Sequence, residues 1–231
     1  MGGSASPRDF STLSAVHTQA AAPMKLISTS FRDNKRIPAR CAFGIPDGTG
    51  HMQLGQNRNP QLAWSGIPAG AKSLVLMCID VDVPSSLENF NKEGRVIEAD
   101  LPRVEFVHWV MVDIPATDGS VPEGFCSDGI TPHGKRNPPG PPGSRQGLND
   151  YTGFTAGDPA MAGDWYGWEG PCSPWNDARE HRYRFTLYAT DLARCPVDGR
   201  FTAADVSRAI EGHVLAQATL TGTYTLNPRM L

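Results

Sequence analysis

The chain has 231 residues, 24 of them acidic and 21 basic, for a formal net charge of −3. The charges are mixed along its length, so no basic stripe offers a general surface for nucleic acid or anionic membrane, and any phosphate recognition has to be local. The 24 glycines and 20 prolines punctuate short apolar runs, which favours turns between strands over long helices in one mostly β domain.

Residues 1–23 read as a flexible N-terminal tail ahead of a single domain over 24–231. The tail is rich in Ala and Ser, lacks an apolar stretch of signal-peptide length, and has only Arg8 as a nearby basic residue. The expectation is an unexported, cytoplasmic and soluble protein, because no window approaches the apolar length of a membrane span. Residues 73–79 predict a central strand, since the run Leu74-Val75-Leu76-Met77 is apolar on both faces. Residues 106–113 predict a second strand, with Phe106, His108, Val110 and Val112 on one face and Val107, Trp109 and Met111 on the other. Residues 131–150, crowded with Pro, Gly and charge, predict a surface loop. Alternation from Tyr183 through Ala189 predicts a half-buried strand over 182–190, and Leu220, Gly222, Tyr224 and Leu226 predict a last strand over 219–226. Between these two, Thr202 with Asp205 three residues on signals a helix start, and Val206, Ile210, His213, Val214 and Gln217 mark its mostly apolar face.

Three local features point to chemistry. Asp80-Val81-Asp82-Val83-Pro84 puts two carboxylates at alternate positions where an apolar strand ends, so both can point the same way; alone, such a pair is as readily a solvated strand end. His108, flanked by Val107 and Trp109, needs a polar neighbour in a dry strand whether it serves a core or a site, and Asp80 or Asp82 would meet that need. Gly170-Pro171-Cys172-Ser173-Pro174 leads to His181-Arg182-Tyr183. By itself this is a stiff turn before a strand, but Gly, His and Tyr there are also suited to receive an anion. The five cysteines are odd in number and show no C-x-x-C pair, so no disulfide framework is expected. Trp64, Trp165, Trp168 and Trp175 are expected to pack loops onto the core. His51, His133 and His213 read as solvent-facing or helix-packing, and His17 belongs to the tail.

Taken together the chain resembles the phosphatidylethanolamine-binding proteins, in their bacterial Raf kinase inhibitor-like branch. The resemblance spans about residues 24–226 and rests on ordered motifs: Met24-Lys25-Leu26, Ile37-Pro38-Ala39-Arg40, Asn59-Pro60-Gln61-Leu62-Ala63-Trp64, Ala71-Lys72-Ser73-Leu74, Asp80-x-Asp82-x-Pro84, His108-Trp109-Val110, Ile114-Pro115-Ala116, Gly170-Pro171-Cys172 and His181-Arg182-Tyr183. It implies a β-sandwich-like fold with a few peripheral helices and a small pocket for phosphate-like anions or phospholipid headgroups. Around that pocket it places Asp80, Asp82, His108, Gly170, Pro171, His181 and Tyr183. Val81 and Ser173 stand where the family pattern often has proline, and segments 85–105 and 131–167 are longer than in the shortest bacterial members.

The resemblance implies binding without turnover, no cofactor, and an inhibitor role toward a kinase or protease partner or a homodimer as further expectations. Within the pocket, the aspartates are expected to orient and charge His108 and His181 so that an imidazole donates to the anion, while a free carboxylate accepts an ethanolamine ammonium. A hydrolase with Ser173 or Cys172 as nucleophile and His181 or His108 as base is the main rival, although no G-x-S-x-G elbow is present. A zinc site from Asp80, His108, Cys172 and His181 has suitable ligand types but lacks close-spaced ligand pairs.

Overall fold

A computed structural model of the chain describes residues 23–49 and 51–231; the expected tail therefore lies, apart from Pro23, outside the described residues. Among the described residues, eleven strands run as β1 (Lys25–Ile27), β2 (Lys35–Arg36), β3 (Gly44–Pro46), β4 (Met52–Leu54), β5 (Leu62–Ser65), β6 (Ser73–Pro84), β7 (Arg103–Pro115), β8 (Gly119–Val121), β9 (Arg145–Gln146), β10 (His181–Thr190) and β11 (Val214–Tyr224). Two α-helices, α1 (Tyr151–Phe154) and α2 (Ala203–Ile210), interrupt the series. No helix among the described residues is long and apolar enough to cross a membrane.

The strands form a six-stranded sheet in the order β2-β11-β10-β6-β7-β9, a three-stranded sheet β1-β5-β8 and the hairpin β3-β4. In the large sheet only the β2–β11 pair is parallel. Strand β6 lies between β10 and β7 and is covered on both sides, which is why its run is apolar throughout. Leu74, Leu76 and Cys78 face the three-stranded sheet in the main core, with Trp64, Trp109, Phe185 and Leu187. Val75 and Met77 face the other way and pack with Val110, Val112, Val206 and Ile210 beneath α2. The architecture is a β-sandwich with few helices, as expected from the sequence.

Three readings change. First, α2 ends at Ile210, and His213, Val214 and Gln217 do not continue it. Gly212, at φ +78°, turns the chain straight into β11, which therefore starts at Val214. The helix start stands: Thr202 accepts from the Asp205 amide while Asp205 accepts from the Thr202 amide. Second, the 131–150 segment is not wholly a surface loop. Its end supplies β9 on the sheet edge and buries Gln146, Leu148 and Asn149, because Gln146 accepts the Trp109 indole N–H at 2.7 Å. Third, Val110 and Val112 do not share a face with His108. The register steps from Cys78↔Trp109 to Ile79↔Val107, leaving His108 as the extra residue of a β-bulge. The bulge turns His108 to the face of Trp109 and Met111, opposite Val110 and Val112.

Candidate functional site

The ends of β6, β7 and β10 meet where the ladder is irregular, and the irregular segment 170–174 folds against them. Asp80 is opposite Phe106 on one side and Tyr183 on the other, so all three point to the face of the β7 bulge. A cavity of about 470 Å³ opens there, with Asp80, His108, His181, Cys172 and Ser173 among its lining residues. A second irregularity on β6, between Asp80 and Val83, places two residues against one on β7 and parts the two aspartates. Asp82 is fully buried outside the cavity lining. It accepts Arg182 Nε at 2.8 Å, Arg182 Nη2 at 2.9 Å and Arg179 Nη1 at 3.2 Å. Burial would raise its pKa, but these partners overcome that and hold it below the usual carboxylate range.

His181 is fully buried between two carboxylates. Its Nδ1 lies 2.7 Å from Asp80 Oδ2 and its Nε2 lies 3.0 Å from Asp177 Oδ2. Both nitrogens must donate to satisfy both oxygens, so the ring is an imidazolium. Burial opposes that charge, yet the charge of Asp80 and the hydrogen bonds to Asp177 and Asp80 outweigh it and raise the pKa to about 9. Arg103 grips Asp177 from behind with a two-pronged contact, Nη1 to Oδ2 at 2.6 Å and Nη2 to Oδ1 at 3.1 Å. Two carboxylates thus face two cations, which removes the repulsion expected of a site with paired acids. The geometry also corrects one expected role: with both N–H groups taken, His181 has none left for an anion.

His108 is differently arranged. Its Nδ1 lies 2.7 Å from the Glu169 carbonyl, which can only accept, so Nδ1 carries the proton. Burial favours the neutral ring and, despite the charge of Asp80, lowers its pKa. Nε2 is the one polar atom of this ring left for an occupant of the cavity. Tyr183 packs edge-on against His108 at a centroid distance of 5.0 Å, and its buried hydroxyl has no partner among the described residues. Gly170 and Pro171 stand behind the cavity wall. A Cβ at Gly170 would meet the Cys41 carbonyl oxygen at 2.0 Å and Phe43 N at 2.9 Å, so the close approach this glycine allows is to the chain's own backbone. The Pro171 carbonyl accepts the amides of Phe43 and Gly44.

The chain of partners behind His108 was not visible in the sequence. Glu169 is fully buried, binds Lys135 from the 131–167 segment, and accepts Asn57 Nδ2 at 2.5 Å. Burial raises its pKa to about 7, with Lys135 and Asn57 opposing. Asp177 and Arg103 were likewise missed: Asp177 stands four residues before His181 with no helix to make that spacing a contact, and Arg103 lies on β7.

A family model described as phosphatidylethanolamine-binding protein matches residues 27–225. The chain belongs to the phosphatidylethanolamine-binding protein family. Among curated relatives, the UPF0098 protein YbhB of Escherichia coli is 32% identical over 202 residues, covering 87% of this chain and all of that protein. A UPF0098 protein of Methanothermobacter thermautotrophicus is 32% identical, covering 87% of this chain and 98% of its own. Among solved structures, E. coli YbcL, described as a new member of the mammalian family, superposes with a TM-score of 0.63 at 26% identity, over 88% of this chain and 99% of that one. Membership of this binding-protein family agrees with a cavity whose polar groups converge at one end of a sandwich. Of the residues carried over from the family pattern, Asp80, His108 and His181 line the cavity, Tyr183 packs behind it, and Asp82, Gly170 and Pro171 brace its walls.

Proposed function

We propose that the chain is a non-catalytic binding protein that holds a phosphate-like anion, such as a phospholipid headgroup, on the polar floor of this cavity. The observation that carries the reading is the state of His108: pinned through Nδ1 to the Glu169 carbonyl at 2.7 Å, it keeps Nε2 for an occupant. A monoanionic phosphate can donate its own hydroxyl to Nε2, and a dianion can be met by a protonated ring. Cys172 and Ser173 also line the cavity, and among the described residues neither backbone N–H has an acceptor. Free amides on successive residues are suited to anion oxygens. Asp80, on the same floor, retains lone pairs for an ammonium group such as that of ethanolamine.

Hydrolysis is less well supported. Burial pushes the Cys172 thiol up to about 12, so it is no ready nucleophile. Ser173 accepts the Leu226 amide at 3.2 Å and has no histidine within hydrogen-bond reach, while His181 is occupied on both nitrogens. The same commitments leave the proposed zinc set without a free His181, and no group of three metal-ligating residues occurs among the described residues.

Calorimetric titration with inorganic phosphate and phosphorylethanolamine, on wild type, His108→Gln and His108→Ala, tests the proposal. Binding by wild type that is lost in both folded variants is the expected result. Equal affinity in all three proteins, or none in wild type, refutes it.

A further inference from the structure

Whether His108 offers the cavity a lone pair or a proton at Nε2 is decided on the other side of the ring. A neutral imidazole carries one proton, so whatever Nδ1 faces sets the state of Nε2. Nδ1 faces the Glu169 carbonyl at 2.7 Å, and that carbonyl belongs to the peptide group joining Glu169 to Gly170. Were this peptide turned over, its N–H would point at Nδ1, the ring proton would sit on Nε2, and the cavity would meet a donor in place of an acceptor. The preceding peptide is tied separately, through the Glu169 N–H to the His108 carbonyl at 3.1 Å, so it does not prevent the turn. Nor does residue 170, because a peptide flip is taken up by ψ of one residue and φ of the next, and glycine accepts nearly any φ.

Asn57 supplies the restraint. Its Oδ1 accepts the Gly170 N–H at 2.8 Å, so one peptide group is held at its N–H by Asn57 and at its carbonyl by His108. The partners fix which way the Asn57 amide points: Nδ2 donates to the Gly129 carbonyl at 3.2 Å and to the Glu169 carboxylate at 2.5 Å, leaving Oδ1 for Gly170. Asn57 is fully buried, and its backbone is anchored too, donating to the Ala42 carbonyl at 3.0 Å and accepting the Ser127 hydroxyl at 2.7 Å. Its φ of 54° lies in the left-handed region, which asparagine enters more readily than most side chains. In a dry site, bonds in series through one peptide polarise and strengthen one another.

We infer that Asn57 is a positioning residue for His108: by holding the Glu169–Gly170 peptide it keeps the neutral ring protonated at Nδ1 and bare at Nε2, so that the floor presents an acceptor. The consequence for a ligand rests on the anion reading of the floor. Asn57 does not line the cavity and acts only through the peptide. The Glu169 carboxylate is the competing cause, being a charge on the same residue, but its oxygens are bound by Lys135 and Asn57 rather than by the ring.

Nitrogen-15 NMR of the histidine-labelled full chain reads the tautomer without any ligand, at about pH 8, where burial keeps the His108 ring neutral. Wild type and Glu169→Gln, which keeps the peptide and removes the charge, are expected to carry the proton on Nδ1. Asn57→Gly, which suits the left-handed backbone and deletes the amide, is expected to move it to Nε2 in a large share of molecules. Sulfate titration gives a second readout. Above the His108 pKa the wild-type affinity should fall about tenfold per pH unit, because one proton is taken up; in Asn57→Gly the neutral ring can donate, and the slope should fall toward zero. A folded Asn57→Gly that stays wholly Nδ1-protonated overturns the inference, and so does a Glu169→Gln that changes tautomer in the same way. If Asn57→Gly does not fold, hydrogen exchange at the wild-type Gly170 amide decides: protection close to that of global unfolding is expected, and exchange as fast as in an open loop overturns the restraint. A wild type that binds neither sulfate nor phosphate refutes the anion reading alone, and the tautomers still judge Asn57.

Discussion

The buried row Asp80–His181–Asp177 makes stability depend on pH in a defined direction. The His181 pKa rises from 6.5 to about 9 in the folded protein. A raised folded value means that the stabilisation is fully present below about 6.5 and is lost as pH climbs through about 9. At about 1.4 kcal/mol for each pKa unit, the amount at stake is on the order of 3 kcal/mol. For a chain of this length that corresponds to a fall in melting temperature of roughly 6–12 °C. Other groups also titrate in this range, so the measurement is the difference between wild type and His181→Gln, followed by thermal unfolding from about pH 6 to pH 10. Removing the imidazolium leaves two buried carboxylates short of a partner, so the variant starts lower by about 3–5 kcal/mol. Its melting temperature should then be flatter across the window, and the gap to wild type should close as pH rises. Asp177→Asn, which keeps the ring but removes one of its two anions, should move the wild-type midpoint to lower pH. Parallel curves for wild type and His181→Gln would show that the ring is not charged between its carboxylates.

Sulfate carries no proton near neutral pH, so His108 can contribute to holding it only when its ring is protonated. Its affinity should fall as pH rises, with proton uptake visible as buffer-dependent binding enthalpy, and a flat profile would exclude His108 as the donor. Gly170→Ala should cost about 2 kcal/mol or more in denaturant unfolding, because the new Cβ meets the Cys41 carbonyl oxygen at 2.0 Å. Lys135→Met removes the cation that opposes the raised pKa of Glu169, now about 7. The variant should match wild type most closely in mild acid, where Glu169 is neutral in both, and lose stability relative to it as pH rises; a gap that narrows instead would refute this assignment. Thr202→Ala should lower stability by about 1 kcal/mol through loss of the α2 cap while phosphate affinity stays unchanged.

How much of this was legible in the sequence follows from which elements obey a simple period. In β10, Tyr183, Phe185, Leu187 and Ala189 stand at alternate positions, and their burial on one face could be read from spacing alone, although Thr186 and Thr190 are buried as well. The capping box of α2 is equally local, being complete within four residues. The end of α2 was misplaced because Val214 and Gln217 fit a helical period as well as the strand they occupy, and only Gly212 hints at the turn. In β7 the alternation itself misled. It grouped His108 with Val110 and Val112, whereas the extra residue at 108 exchanges the faces, and a bulge is defined by the partner strand's register rather than by anything in β7.

The site was likewise legible as a set of residues but not as a mechanism. Asp80 and Asp82 stand at alternate positions and so appeared equivalent, yet the irregularity between Asp80 and Val83 sends one to His181 and the cavity and the other to Arg182 and Arg179. Asp177 lies four residues before His181 in a segment with no helix to bring them together, and Arg103 reaches Asp177 from another strand. These contacts decide which histidine is a fixed cation and which keeps a free nitrogen, and they exist only in three dimensions. The cavity therefore opens where the β6–β7 ladder breaks register twice, at 80–83 of β6 and at 107–109 of β7. The periodicity that reveals strands loses its meaning at those two places, and they are also where polar side chains can be turned out of a sheet that would otherwise close over them.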